Sequence, residues 1–406
     1  MTNSSRISGF VKPGFEAVQE AFIENFERRH ELGAACCVYY RGEKVVDLWG
    51  GIRNKATGDP WEENTMVLIA SATKGPAAMT MALAHSRRLF DYDDRISKYW
   101  PEFAQQGKDR ITIRQLLAHQ AGLYALDKHV DTRTEADLDK LAVVLARQRP
   151  AWEPGTRQAY HAITLGFYES ELLRRVDPKH RSLGKFFHEE IASPLGLDFY
   201  IGLPEEIPNA RLARTSMANP GPAGLKAPVP LVLSILNPRS RINRALWGEL
   251  PEDRENVYVR NLEVPSGGGI GTARAIAKAY GVFATGGKEL GLREETLQQL
   301  MAPAVPPTHG FYDEVMKLEG MQMSLGFMKP WPRNPFAHPS SFGMLGFGGS
   351  IGFADPHSRV GFAYVPNRND YYLMDPRQNA LRLAMYRSIG ETNPVLLGEE
   401  GGTSFE

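Results

Sequence analysis

The feature that most constrains this chain is a serine and a lysine three residues apart, Ser71 and Lys74, between an apolar run and an apolar helix. The run covers residues 66–70, and the helical pattern covers residues 77–84. Residues with this spacing at a helix start share one face, one turn apart. The helix dipole would favour loss of the Ser71 proton, and a desolvated lysine can act as a base. The pattern therefore predicts a serine nucleophile activated by a lysine.

The spacing alone is weak evidence, because a chain of 406 residues contains about one such match by chance. A second match, Ser182 with Lys185, is indeed present. Only Ser71 has the apolar run before it and the buried-helix pattern after it, which favours Ser71 as the nucleophile. Pro76 follows Lys74 closely, and proline fits only the first turn of a helix. We therefore expect the helix to begin irregularly.

Composition and charge are typical of a soluble globular protein with a large core in one or two domains, at 42% hydrophobic residues and zero net charge. Zero net charge gives no electrostatic reason to expect nucleic acid or an anionic membrane as a partner. No apolar run approaches the roughly 18 residues that span a bilayer. The first residues lack the apolar segment of a secretory signal. These observations predict a cytoplasmic protein without a membrane span.

The residues that could hold a metal or a cofactor form no recognisable motif. The two cysteines, Cys36 and Cys37, are adjacent, and a strand would point them to opposite faces. They are therefore interpreted as small apolar residues of a strand and not as a disulfide or metal pair. His188 lacks a second histidine at metal-binding spacing, and the glycine run 267–271 is not followed by the residues of a phosphate loop. The sequence predicts no metal and no cofactor.

Hydrophobic periodicity predicts helices and strands in an α/β arrangement. A helix is predicted over residues 13–31 and a β-hairpin over residues 35–49. Residues 80–200 are mostly helical in pattern, residues 204–265 are irregular, and a second hairpin precedes a helix over residues 376–389.

Strands at both ends of the chain predict one discontinuous α/β domain, an antiparallel β-sheet flanked by helices, which holds an inserted helical domain. The expected parts are an α/β domain of residues 10–75 and 265–395, a mostly helical domain of residues 76–264 with a substrate-shaping loop at about 204–264, and a flexible tail of residues 396–406.

Six segments in order, between about residues 33 and 370, resemble the serine β-lactamase/DD-peptidase-like fold (the fold of class C β-lactamases and penicillin-binding proteins). The resemblance is strongest to its esterase branch, the family VIII carboxylesterases. The segments are Ser71 to Lys74, Leu116 to Leu123, Pro154 to His161, Pro194 to Leu197, Gly267 to Ala273 and Phe342 to Pro356.

The resemblance implies roles for particular residues. Ser71 corresponds to the acylated nucleophile, Lys74 to its partner and Tyr160 to the tyrosine of the second motif. Either Lys74 or Tyr160 could take the Ser71 proton, and the two would titrate as a coupled pair. A positive charge on Lys74 would favour the Tyr160 phenolate. The backbone N–H groups of Ser71 and Phe347 would form the oxyanion hole.

Two departures from the β-lactamase pattern indicate the substrate class. The third motif has Met344, Leu345 and Gly346 where β-lactamases have Lys-Thr-Gly, so the glycine is kept and the cation is lost. Gly346 would let a substrate approach the strand. Ala162 stands where β-lactamases have an asparagine that holds the antibiotic's amide. Both changes favour neutral apolar esters over anionic β-lactams.

Other serines and histidines are weaker candidates. Residues 348–352 match the Gly-x-Ser-x-Gly pattern of α/β-hydrolases around Ser350, but the continuation looks like a strand and not a helix. His119 is interpreted as a helix-end residue that bonds backbone. His161 adjoins Tyr160, so it could line the substrate pocket or serve structure. Met344, Leu345, Gly346 and His161 are the predicted substrate-binding residues, with residues 228–236 and Trp247 as further candidates for pocket walls.

The sequence therefore predicts a serine carboxylesterase that cleaves short-chain apolar esters through an acyl-enzyme on Ser71, with a small-molecule ester as its partner. β-Lactamase or D-Ala-D-Ala peptidase activity, or acyl transfer, on the same fold are the alternatives. A catalytically silent binding protein is a fourth hypothesis, which the complete set of Ser71, Lys74 and Tyr160 disfavours.

Overall fold

The computed structural model of the chain describes residues 7–128, 130–218, 233–234, 236–237, 239–246, 260–370 and 374–391. Trp247, most of residues 228–236 and the predicted tail of residues 396–406 lie outside the described residues.

The described part of the chain contains helices and strands in alternating groups. The helices are α1 Glu16–Arg28, α2 Lys74–Ser86, α3 Ile113–Leu117, α4 Thr132–Ala136, α5 Leu138–Arg147, α6 Thr164–Val176, α7 Leu183–Phe187, α8 Ser193–Leu195, α9 Arg241–Leu246, α10 Ala273–Ala284, α11 Glu294–Met301 and α12 Pro376–Ser388. The strands are β1 Ile7–Val11, β2 Gly33–Tyr40, β3 Glu43–Asn54, β4 Asp59–Pro60, β5 Val67–Leu68, β6 Phe199–Ile201, β7 Ser216–Met217, β8 Gly269–Gly271, β9 Tyr312–Asp313, β10 Leu318–Glu319, β11 Met323–Ser324, β12 Phe327–Met328, β13 Phe342–Leu345, β14 Ile351–Asp355, β15 Val360–Pro366 and β16 Arg368–Asn369.

The largest sheet joins strands from the first 60 residues of the chain to strands after residue 320. Its strands run antiparallel in the order β1-β3-β2-β15-β14-β13-β12-β11, with β4 paired to β3. The central pairing sets Ala34 opposite Pro366 and Tyr40 opposite Val360. The predicted α/β fold with an antiparallel sheet flanked by helices is confirmed. The division into residues 10–75 with 265–395 and residues 76–264 stays a prediction.

Helices cover both faces of this sheet because its central strands are apolar on both sides. On one face α10 packs against β2, β14 and β15, so closely that a Cβ added to Gly361 would lie 2.2 Å from the backbone nitrogen of Gly281. On the other face α1 and α12 pack together. Cys36 and Cys37 are buried and free, and they belong to the cores on opposite sides of the sheet. The interpretation of the two cysteines as strand core residues is confirmed.

Helix α2 lies at the centre of the structure, between the sheet and the remaining helices. All of its residues are buried, and it packs against α6, α7, α11 and β13. A 3₁₀ turn, Ala70–Thr73, precedes it, which agrees with the irregular start expected from Pro76. Ala70 has a φ of 47°, a left-handed conformation that non-glycine residues rarely adopt. The chain therefore turns sharply just before Ser71.

In the part of the chain that the structure describes, no helix combines the length and the apolar character needed to cross a membrane.

Candidate active site

Ser71 and Lys74 meet at the junction between the 3₁₀ turn and α2. The Lys74 side chain is fully buried, and its Nζ lies 3.5 Å from the Ser71 Oγ. The same Nζ donates hydrogen bonds to the backbone oxygens of Ala162, at 2.6 Å, and Ser266, at 2.8 Å. The lysine is therefore held by two separate loops and directed at the serine.

The environment of Lys74 favours its neutral form. Burial lowers the pKa of Lys74 to about 7, and the carboxyl of Glu169 opposes this shift. A neutral amine has two N–H groups and one lone pair. Since the oxygens of Ala162 and Ser266 accept the two N–H groups, the lone pair is left for the Ser71 hydroxyl. This arrangement suits a general base.

Tyr160 is the third group at this junction, and its side chain is buried. It shares a hydrogen bond with Ser71, and Lys74 Nζ lies 4.8 Å from the centre of its ring. The pKa of Tyr160 is raised, first by burial and further by Asp313. The expectation that Lys74 would favour a phenolate is wrong, because the pKa of Tyr160 is raised and Lys74 is not among the groups that shift it.

Asp313 holds the loop of Tyr160 and was not singled out from the sequence. The carboxylate is buried and accepts the backbone N–H of Tyr160. It also accepts Gln158 Nε2 at 3.3 Å and the N–H groups of Val315 and Met316 at 3.0 and 2.8 Å. No local motif marks an aspartate that acts on a loop so distant along the chain, so sequence reasoning had no signal for it.

His119 and His161 form a buried pair behind Tyr160. The His161 Nδ1 donates to the oxygen of Ala159 at 2.7 Å, and its Nε2 accepts the N–H of Leu123 at 3.0 Å. The Nδ1 of His119 accepts the N–H of His161 at 2.8 Å. Burial lowers the pKa of both imidazoles, to about 3 for His161. Both rings are neutral at pH 7 and bind backbone, which holds the loop of Tyr160.

The strand β13 brings the third predicted segment beside the nucleophile. Gly346 approaches the 3₁₀ turn so closely that an added Cβ would lie 2.2 Å from the oxygen of Ile69 and 3.1 Å from the nitrogen of Ala72. These two residues flank Ser71. Met344 is buried, Leu345 is half-buried and Phe347 is 55% exposed. The structure therefore brings Gly346 to the turn of Ser71, with Phe347 as the next residue along the chain, and places Met344 in the core.

A buried ion cluster supports the turn that carries Phe347. Arg377 donates from Nη2 to the oxygen of Gly348 at 2.9 Å. Its Nη1 lies 3.0 Å from both carboxylate oxygens of Glu31, and Asp375 pairs with it on the other side at 2.5 Å. The side chains of Arg377, Glu31 and Asp375 are all 1% exposed or less. Residues near both ends of the chain thus fix this turn.

The two competing serines have surroundings unlike those of Ser71. Ser350 is buried, and the chain after it continues into β14 and not into a helix. Ser182 caps the start of α7 by accepting the N–H of Lys185, and its hydroxyl donates to Glu263 at 2.7 Å. Neither is paired with a lysine as Ser71 is. Over the described ranges, no group of three or more His, Cys, Asp and Glu side chains could hold a metal ion.

A Ser–Lys–Tyr constellation beside strand β13 of an antiparallel sheet is typical of active-site-serine proteins of the β-lactamase-like class. The chain belongs to the β-lactamase family, since the family profile named Beta-lactamase matches residues 18–385.

Similar proteins match most of the chain. Esterase/beta-lactamase LipL of Mycobacterium tuberculosis is 32% identical over 89% of this chain and 83% of its own length. The crystal structure of a family VIII carboxylesterase has a TM-score of 0.79 at 36% identity, and it covers 94% of this chain and 99% of its own. A penicillin-binding protein homologue from Caulobacter crescentus has a TM-score of 0.81 at 32% identity, with the same coverage.

Proposed function

We propose that the protein is a serine carboxylesterase that hydrolyses small neutral esters through an acyl-enzyme on Ser71. The observation that carries the proposal is the placement of the Ser71 hydroxyl between the amine of Lys74 and the hydroxyl of Tyr160. The two N–H groups of a neutral Lys74 are already used by backbone oxygens. The named relatives include esterases that share the fold over most of their length.

In acylation, the lone pair of Lys74 takes the Ser71 proton while Oγ attacks the ester carbonyl. The negative oxygen that forms is bound by the backbone N–H groups of Ser71 and Phe347. When the C–O bond to the alcohol breaks, the alcohol leaves with a proton from Lys74, passed through the Tyr160 hydroxyl. Tyr160 is suited to this relay because its raised pKa keeps the proton on its oxygen at neutral pH.

In deacylation, water attacks the acyl carbonyl and Lys74 takes the proton of the water. The same two backbone N–H groups bind the oxyanion, and the acid leaves as Ser71 recovers its proton. Lys74 alternates between an amine with two donated N–H groups and an ammonium with three. The three acceptors around it, the oxygens of Ala162, Ser266 and Ser71, match the second state.

The proposed preference for neutral esters rests on Met344 and Leu345 in strand β13 and on Ala162. Met344 and Leu345 present no charge beside Gly346, so no cation of that motif would bind a substrate carboxylate. Ala162 has no side-chain amide, and its backbone oxygen is occupied by Lys74. His161 acts in this proposal by shaping the wall behind Tyr160, since both ring nitrogens are bonded to backbone.

A second candidate is β-lactam hydrolysis, because LipL carries both activities in its name and a penicillin-binding protein homologue shares the fold. Nitrocefin turnover at a kcat/KM comparable to that for esters would favour it. Acyl transfer is the third candidate, and faster acyl transfer than hydrolysis with an added alcohol would favour that activity.

The decisive experiment compares p-nitrophenyl butyrate hydrolysis by the wild type, Ser71→Ala and Ser350→Ala. We expect Ser71→Ala to lower kcat by about 10³-fold or more and Ser350→Ala to keep most of the activity. Mass spectrometry of the quenched wild type should find the butyryl group on the peptide that contains Ser71. Loss of activity only in Ser350→Ala would refute the assignment, and an inactive wild type would leave the binding-protein hypothesis.

A further inference from the structure

Glu169 is a buried carboxyl that the proposed reaction does not use. It lies in the middle of α6 with no solvent exposure. Neither Oε1 nor Oε2 has a hydrogen-bond partner among the described residues. A buried polar group without partners destabilises a fold, so its presence in a well-packed helix needs an explanation.

The position of Glu169 relative to α2 supplies that explanation. A Cβ added to Gly326 would lie 3.3 Å from Oε1 of Glu169 and 2.7 Å from the Cβ of Ala78. Glu169 Oε1 is therefore close to Ala78. Ala78 follows Lys74 by four residues in α2, so the two share one helix face, one turn apart. The carboxyl of Glu169 thus lies beside the face of α2 that carries Lys74, one turn further along the helix.

Glu169 is also the group whose negative charge, when present, raises the pKa of Lys74. The other titratable groups that face this region are Tyr160, His161 and His119 from the neighbouring loops, and Tyr280, whose hydroxyl packs against Gly75. Burial keeps both tyrosines and both histidines uncharged at neutral pH. Asp313 acts on Tyr160 and is not among the groups that shift Lys74.

We propose that Glu169 is a positioning residue that acts through Lys74: when its carboxyl loses a proton, Lys74 becomes a stronger base and acylation of Ser71 becomes faster. The inference rests on the proposed function, in which Lys74 takes the serine proton. Beyond that function, the inference is that the protonation state of Glu169 sets the rate of this proton transfer.

The protonation behaviour of the pair supports this proposal. Burial raises the pKa of Glu169 to about 8 and lowers the pKa of Lys74 to about 7. Between these two values the neutral form predominates in both groups, so Lys74 is mostly a free amine. As the pH rises through about 8, Glu169 becomes a carboxylate, which stabilises the ammonium that Lys74 forms during acylation. The rate should then increase a second time, beyond the increase that deprotonation of Lys74 causes.

The kinetic test is the pH dependence of kcat/KM for p-nitrophenyl butyrate, with the hydrolysis measured in Ser71→Ala subtracted at each pH. In the wild type we expect a second increase of about three- to tenfold centred near pH 8, because a buried carboxylate strengthens the base in surroundings that hold little water. Glu169→Gln keeps the size of the side chain and removes its titration, so the second increase should disappear. Glu171→Gln, on the same helix but paired with Arg174 and Arg175, is the matched control and should keep it.

A second measurement does not depend on turnover. With ¹³C-labelled glutamate, the carboxyl resonance that Glu169→Gln removes should titrate near pH 8 and not near the usual value for glutamate. If Glu169→Gln does not fold, Glu169→Met takes its place in both experiments, and it removes an unsatisfied buried carboxyl. A resonance already ionised at pH 6, or a second kinetic increase that survives in both variants, would overturn the proposal. Absence of Ser71-dependent hydrolysis would instead refute the proposed function, while the titration would still decide the state of Glu169.

Discussion

The contact between Gly346 and the nucleophile turn leads to a quantitative prediction for Gly346→Ala. The added Cβ would lie 2.2 Å from the oxygen of Ile69, whereas carbon and oxygen atoms approach no closer than roughly 3.3 Å. The two segments must therefore separate by about 1 Å. Because Ile69 lies two residues before Ser71, the separation moves the serine away from the N–H of Phe347. A displacement of about 1 Å at a reacting centre costs roughly 10²-fold in rate, or about 2.7 kcal/mol of activation free energy.

The assay is the steady-state hydrolysis of p-nitrophenyl butyrate, with kcat and KM measured separately. We expect most of the loss in kcat, since the oxyanion donors act on the transition state more than on the bound ester. Gly267→Ala is the control, because no heavy atom lies within 4 Å of a Cβ added there. Thermal unfolding of both variants shows whether each remains folded.

Two results would refute this reasoning. A folded Gly346→Ala variant with the kcat of the wild type would mean that Gly346 and Phe347 do not form part of the reaction centre. An equal loss of kcat in Gly267→Ala would mean that the contact between residue 346 and the oxygen of Ile69 is not the cause of the loss.

Two further predictions concern residues that support the site. Asp313→Asn weakens the hydrogen bond to the backbone N–H of Tyr160. We therefore expect kcat to fall about tenfold while the unfolding temperature changes little. A normal kcat in a folded variant would contradict the role given to Asp313. Arg377→Met leaves the carboxylates of Glu31 and Asp375 buried without their cation. The free energy of unfolding, measured by urea denaturation, should fall by about 3–5 kcal/mol. A loss below about 1 kcal/mol would show that this cluster does not stabilise the fold.

Much of the fold could be predicted from the sequence because its signals are local. The pattern of residues 13–31 is confirmed as a helix by Glu16–Arg28, and the hairpin of residues 35–49 is confirmed by β2 and β3. Strand periodicity also predicted that Cys36 and Cys37 point to opposite faces of the sheet, and they belong to cores on opposite sides of it. The resemblance to the β-lactamase-like fold is confirmed by the family match. The roles of Ser71, Lys74, Tyr160 and Phe347 stay predictions, as does the cytoplasmic location.

The sequence by itself determined that Ser71 and Lys74 are paired, since they lie within one helical turn and their pairing needs no distant contact. Only the tertiary structure decided their electrostatics. Burial lowers the pKa of Lys74 and raises the pKa of Tyr160 and of Glu169, and burial depends on segments far apart in the chain. The supports of the site, Asp313 among them, are equally long-range contacts, and no local pattern encodes them.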